Sequence, residues 1–251
     1  MLSVVIITKN EEMNIGRCLT GVREIADEVI VVDSGSSDRT VDIARNLGAR
    51  VYHQDWLGFD KQKNYAASLA VMDYILFLDA DEEVSDDLRS SIREALVKKD
   101  CVGWKIHRKT YYLGKVLHHV WHREWLLRLV KRGEGHFEGD IHEKMICKGK
   151  IGKLQGPVLH YSYKSLADQI NRLADYARQT AILMEKEGYK FHFYNLILNP
   201  LWAFLKVFLR GGFMEGYRGI LIAVFEATYT FLKYAFILER KLQKKNANLW
   251  M

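Results

Sequence analysis

Cysteine is scarce in this chain, and the three that occur, Cys18, Cys101 and Cys147, are odd in number, far apart and without a CxxC pair. A disulfide framework and a structural zinc site are therefore not expected, and a reducing compartment is the simpler reading. The opening segment, MLSVVIITKN, lacks the basic start, the longer apolar core and the small-residue cleavage site of a secretory signal. It reads as a first strand, and export is not expected. No uninterrupted apolar run of about 20 residues occurs, which disfavours a spanning helix. Neither GxGxxG nor GxxxxGK(S/T) is present, so the dinucleotide fold and the P-loop lack their signatures. No internal repeat, low-complexity tract or obvious linker divides the chain.

What is present is a chain of 251 residues with a 49% apolar share, ample for a packed core. Its formal charge of +6 suits a partner carrying phosphates: a nucleotide, a lipid headgroup or a nucleic acid. Over residues 1 to 100, β-branched runs (SVVII, EVIVV, RVYH, YILFL) alternate with helical periodicity, the pattern of a mostly parallel α/β layer. From 101 to 163 the pattern changes to extended pieces, VGWKIHR, WLLRLVK and PVLHYSY, which read as sheet completion plus an acceptor-side surface. Ser165 and Asp168 then form a capping-box-like start to a helix ending at Gly188. Two regions result, an α/β domain over 1–163 and a helical region over 164–251.

The helical region is the most apolar part of the chain, but Lys206, Arg210, Glu215, Arg218, Glu226 and Lys233 interrupt it. Aromatic residues crowd it, and the basic tail ERKLQKK follows. That mixture suits helices lying in a membrane interface against anionic lipid. Core-facing helices or an oligomer contact are the alternative.

Chemistry concentrates at three strand ends. YILFL runs into Asp79-Ala80-Asp81-Glu82-Glu83. If that segment stays extended, Asp79 and Asp81 share one side at a separation of roughly 6 to 7 Å, and both can face a hard cation such as Mg²⁺ or Mn²⁺. The competing reading is an acidic helix N-terminus near Asp86. After the second strand comes VVDSGSSDRT, in which Asp33 can accept from a uracil imide or ribose hydroxyls, or simply shape the turn. After the first comes TKNEE, where Glu11 is either a ligand contact or a cap. In an open α/β sheet such strand ends border the ligand crevice.

TKNEE, VVDSGSSDRT, GFDKQKNYAAS and FLDADEE, in this order and at these intervals, resemble the inverting family 2 glycosyltransferases of the GT-A fold. The resemblance implies a mostly parallel central sheet flanked by helices, with Thr8, Asn10, Glu11 and Asp33 at the nucleoside and Lys63 near its base or phosphates. It also implies that the Asp79-Ala80-Asp81 triplet serves ribose and metal, and that His160 completes the metal shell, although a hydrogen-bonded core histidine is the alternative. Many members carry arginine where this chain has Lys63, a change from a bidentate fork to a point charge.

HFEGDIHEKM, GFDKQKNYA and GPVLHYSYKSLADQINRLADYA are similar to a narrower branch, the bacterial lipopolysaccharide inner-core glucosyltransferases. Such enzymes move glucose from UDP-glucose to a lipid-linked heptose at the inner face of the cytoplasmic membrane. By that likeness the protein is peripheral and cytoplasmic, its partners are a UDP-sugar, a lipid-linked saccharide and an anionic membrane, and nucleic acid is not expected. Transfer to a polyprenyl phosphate and a catalytically silent sugar-nucleotide adaptor stay open, as does the oligomeric state. An inverting displacement needs a base, and Glu143, Glu138 and Asp140 are the candidates, Glu143 first. His118, His119 and His122 read as loop or acceptor contacts. Arg123, Arg128, Lys131 and Arg132 read as acceptor-phosphate contacts or a solvated strand face.

Overall fold

A computed structural model describes residues 1–139, 143–163 and 165–247. The chain forms two compact units, Met1–Tyr111 with His122–Ser162, and Tyr112–Trp121 with the chain from Tyr163 onward.

In the first unit β1 (Leu2–Thr8), β2 (Glu28–Asp33), β3 (Arg50–His53) and β4 (Tyr74–Asp79) are parallel, with β1 between β2 and β4. Their side chains alternate between two buried layers. Leu2, Val4 and Ile6 pack with Ile15, Cys18 and Val22 of α1 (Ile15–Val22), whereas Val5 packs with Ala66 of α3 (Phe59–Ser68) and with Phe77. Helix α2 (Thr40–Asn46) joins β2 to β3. Burial on both faces explains the near-continuous apolar strands. The parallel register also sets Thr8 beside Asp33 and Ile7 beside Asp79, which gathers the polar strand ends on one edge.

The segment after Asp79 does not stay extended. The chain turns at Ala80-Asp81 and enters β5 (Glu82–Val84), then α4 (Asp86–Lys98). Ser85 caps α4 by accepting from the Leu88 N–H, and Asp86 and Asp87 occupy its first turn, so the acidic run is partly a helix start. The remaining strands are β6 (Gly103–Tyr112), β7 (Lys115–Val116), β8 (His122–Lys131), β9 (Gly135–Glu138), β10 (Lys144–Cys147) and β11 (Ile151–His160). β8 lies antiparallel between β4 and β6, while β11 runs parallel to β6 and antiparallel to β5. The order is β3-β2-β1-β4-β8-β6-β11-β5, a mixed α/β sheet. β11 slips register between Lys153 and Pro157, and Gly156 there has φ 79°; a Cβ would meet the Leu88 backbone nitrogen at 2.3 Å.

The second unit is helical. Ser165 caps α5 (Leu166–Lys186) by accepting from the Asp168 N–H at 3.0 Å, as the sequence indicated. A 3-10 turn (Phe193–Leu196), α6 (Leu198–Leu209), a second 3-10 turn (Gly212–Glu215) and α7 (Tyr217–Ala247) follow. Ala181 of α5 packs on Tyr234 and Ile237 of α7, and Tyr112, Leu117 and Val120 pack on Ile222 of α7. Over Tyr217–Lys244, α7 is long and apolar enough to cross a membrane, with a mean hydropathy of 1.5 in its most apolar window. The widely spaced charges that interrupt this region therefore do not by composition alone exclude a span.

Candidate active site

The loops that follow β1 and β2 are laced together. Asn10 leaves β1 with φ 56°, a conformation asparagine tolerates. Its Oδ1 accepts from the Ser37 N–H at 2.8 Å and its N–H donates to Ser36 Oγ at 2.8 Å. Glu11 N–H donates to Thr40 Oγ1 at 2.7 Å, and Glu12 and Asp38 are joined by Glu12 N–H to Asp38 Oδ2 at 3.1 Å. The Asp33 carboxylate accepts from the N–H groups of Gly35 and Ser36 at 2.9 and 2.8 Å and from the Ser36 hydroxyl. The Glu11 carboxylate accepts from Asn14 Nδ2 at 2.8 Å, and its carbonyl accepts the first N–H groups of the α1 turn. Turn-shaping by Asp33 is thus present, while Glu11 meets the start of α1 through its carbonyl and the Asn14 side chain, with no side-chain cap bond at Asn14. Thr8 Oγ1 differs: it is buried and has no hydrogen-bond partner among the described residues, an unsatisfied group of the kind a ligand or water completes.

A row of buried charges sits at the end of β4. Arg128 of β8 grips Asp79, Nη2 to Oδ2 at 2.7 Å and Nη1 to Oδ1 at 3.5 Å, and Lys63 Nζ of α3 lies 3.1 Å from Asp79 Oδ1. Burial would raise the Asp79 pKa, but the Arg128 and Lys63 charges outweigh it and hold the carboxyl far below the usual carboxylate range. Burial of Arg128 is outweighed in the same way by Asp79 and Glu82, so the guanidinium stays charged. Glu82, only 1% exposed, accepts from the Asp79 N–H at 2.9 Å, and its Oε1 lies 3.7 Å from Arg128 and 4.0 Å from Arg108. Burial dominates there and pushes its pKa up. Arg128 is therefore an internal partner of Asp79 and Glu82, a correction to its reading as an acceptor-phosphate contact. Ala80 lies buried beside this row.

Lys63, 4% exposed, also reaches Glu143 Oε1 at 2.8 Å. One ammonium thus joins the carboxylate at the strand end to a carboxylate from the β9–β10 hairpin. The hairpin pairs Glu138 with Lys144, and Asn64 of α3 pins it by exchanging two 2.8 Å hydrogen bonds with the Phe137 backbone. Glu138 is exposed and pairs with His136 at 2.7 Å. Asp140 lies outside the described residues, as do the side chains of His122 and Arg123. His118 and His119 belong to the second unit, where their N–H groups donate to Glu215 Oε1 at 2.6 and 2.8 Å.

His160 ends β11, and its Nε2 lies 3.2 Å from Asp81 Oδ2. Its Nδ1 is 2.9 Å from Ser162 Oγ, which orients the ring. Burial would lower the His160 pKa; the hydrogen bond and charge of Asp81 prevail and raise it. Among the described residues no three His, Cys, Asp or Glu side chains group as a complete metal shell. The donor set nonetheless fits a divalent cation shared with a phosphate ligand, with one carboxylate, one oriented imidazole and the other positions left to phosphate and water. The structure brings Asp81 and His160 together and commits Asp79 to Arg128 and Lys63.

Residues 3–137 match the family described as Glycosyl transferase family 2. An uncharacterized glycosyltransferase of Rickettsia typhi is 34% identical over 98% of this chain and 89% of its own length. The chain belongs to glycosyltransferase family 2. Lipopolysaccharide core biosynthesis glycosyltransferase LpsC of Rhizobium meliloti is 31% identical over 99% of this chain and 96% of its own length. Among solved structures, S. aureus TarS with UDP-GlcNAc is 16% identical, covering 96% of this chain and 92% of that one at a TM-score of 0.49.

In this glycosyltransferase the sequence reading missed Glu82, Gln62 and Asn64. Gln62 is fully buried and donates to Ser34 Oγ at 3.0 Å and the Gln54 carbonyl at 3.1 Å. A signal did exist: an arginine inside LLRLV and a polar KQKN run between apolar elements both require buried partners.

Proposed function

We propose that this protein is an inverting, metal-assisted hexosyltransferase that moves glucose from UDP-glucose to a lipid-linked saccharide such as the heptose of a lipopolysaccharide inner core. It works at the anionic inner face of the bacterial cytoplasmic membrane. The observation that carries the reading is the Asp79–Lys63–Glu143 bridge, which ties the strand-end carboxylate to a hairpin carboxylate in a family 2 member. The name of the Rhizobium meliloti relative, similar over nearly the whole chain, supports the choice of acceptor.

In this scheme Thr8, Asn10, Glu11 and the turn shaped by Asp33 receive the nucleoside. Asp81 and His160 would hold Mg²⁺ or Mn²⁺, whose charge supports departure of the diphosphate. Glu143 takes the proton of the acceptor hydroxyl. The acceptor oxygen bonds to the anomeric carbon on the face opposite the breaking bond to the diphosphate, so configuration inverts in one displacement. Lys63 holds Glu143 at a fixed place relative to Asp79. The test is UDP release from a panel of sugar nucleotides with a heptose-containing core glycolipid, for wild type and Asp81→Ala. UDP-glucose should be preferred, and the variant should lose about 10²–10³-fold in kcat. Equal product from the two proteins, or a preferred donor other than UDP-glucose, would overturn the reading.

A further inference from the structure

In the second unit, no residue of α6 is buried among the described residues. Leu198, Leu201, Trp202, Leu205 and Leu209 recur at helical spacing and are all exposed, Trp202 by 57% and Leu209 by 75%. The turns flanking α6 continue the surface with exposed Phe193 and Phe213. An apolar surface of this extent has a partner. From Gly188 to Met214 the sequence contains no aspartate or glutamate, and its charges are Lys190, Lys206 and Arg210. Lys206 and Arg210 are exposed and each follows a residue of the apolar stripe, where their stems can lie along it and their charges reach outward.

That single sign selects the occupant. A second copy docked face to face would set these cations against their own equivalents, because the one carboxylate of the flanking turns, Glu215, is buried and held by the N–H groups of His118 and His119. A leaflet of anionic lipid offers the apolar interior and the negative rim together. We infer that α6 and its two flanking turns form a wedge that enters one leaflet of an anionic membrane, while α7 does not cross it. Helix α6 is about 18 Å long, too short to span. Helix α7 is long enough, but polar partners hold it within the second unit. Glu226 accepts from Trp121 Nε1 at 3.1 Å, Thr180 and Tyr229 join their hydroxyls at 2.9 Å, and Arg240 and Lys244 pair with Glu185 of α5 at 2.6 and 2.5 Å. A spanning α7 would break these links or draw the charged helix α5 into hydrocarbon. The inference deepens the membrane part of the proposed function and rests on it.

The test is co-sedimentation of the full chain with phosphatidylcholine vesicles, with and without phosphatidylglycerol, for wild type and for the double variant Leu201→Glu, Trp202→Glu. These side chains are exposed, so the variant should keep its helical circular dichroism and its turnover with a detergent-dispersed acceptor. Wild type should bind the anionic vesicles, and the variant should lose about tenfold or more in affinity. Acyl-chain-brominated lipid should quench a tryptophan component present in wild type and missing from Trp202→Phe. Alkaline carbonate should release the wild type. Wild-type binding that the double variant retains would overturn the wedge and leave membrane association standing; no wild-type binding would remove the membrane reading itself. Resistance to carbonate would make α7 a span, and a dimer dissolved by the double substitution with vesicle binding unchanged would assign the surface to a second copy, each outcome overturning the inference.

Discussion

A lysine ammonium between two carboxylates is the residue-scale feature on which the proposed chemistry rests. Lys63 serves Asp79 and Glu143 together, and Asp79 retains Arg128 when Lys63 is removed. Lys63→Met should therefore destabilise the protein by less than a wholly orphaned buried pair would, about 3 kcal/mol at most in urea unfolding. It should also lower kcat, because Glu143 loses its anchor. Lys63→Arg keeps the charge and should restore most of the stability while recovering kcat only in part, since a planar fork does not reproduce the position of a point charge. Wild-type kcat in Lys63→Met would show that the bridge has no part in turnover. At the same scale, Glu143→Gln should lower kcat by about 10²–10⁴-fold with UDP-sugar affinity retained, and Glu138→Gln should stay near wild type. Steady-state kinetics of the pair decides between Glu143 and Glu138.

At the scale of elements, Glu215 joins the 3-10 turn before α7 to the 112–121 segment through the N–H groups of His118 and His119. Burial raises its pKa, but those hydrogen bonds, with the charges of Lys115 and His119, prevail and hold the carboxyl below its ordinary value. A depressed carboxyl contributes stability that is present above its unfolded value of about 4.3 and lost as pH falls through the lower folded value. Glu215→Gln should therefore cost about 1–3 kcal/mol at neutral pH, with the difference from wild type shrinking in acid below that point. Denaturant melts at several pH values measure it, and a gap that stays constant would contradict the linkage. The β11 slip offers a second test at this scale. Gly156→Ala places a Cβ against the Leu88 backbone at a left-handed position and should cost about 2 kcal/mol or more.

For the whole molecule, the parallel half was legible because burial on both faces writes each strand as a continuous apolar run, and the α5 start was legible from Ser165 and Asp168. The turn at Ala80 was not. Its cause is the pairing of β5 with β11, a partner about 75 residues distant, and an acidic run carries no mark of such pairing. The place of 112–121 with the C-terminal helices was hidden for the same reason: it depends on Ile222 and Glu215, far along the chain. Within the site, residue types and their order marked the strand ends that the parallel register gathers on one edge, whereas the partners of Asp79 depended on Arg128 arriving from β8.

The central claim is that Asp81 and His160 hold a divalent cation against a nucleoside diphosphate. Calorimetric titration of UDP into the full chain, with Mn²⁺ and with chelator, tests it most directly when repeated on Asp81→Asn. Wild type should bind UDP at least about tenfold more tightly with Mn²⁺, and Asp81→Asn should bind it equally weakly in both conditions. Mn²⁺-independent UDP binding in wild type, or an undiminished Mn²⁺ effect in the variant, would contradict the account.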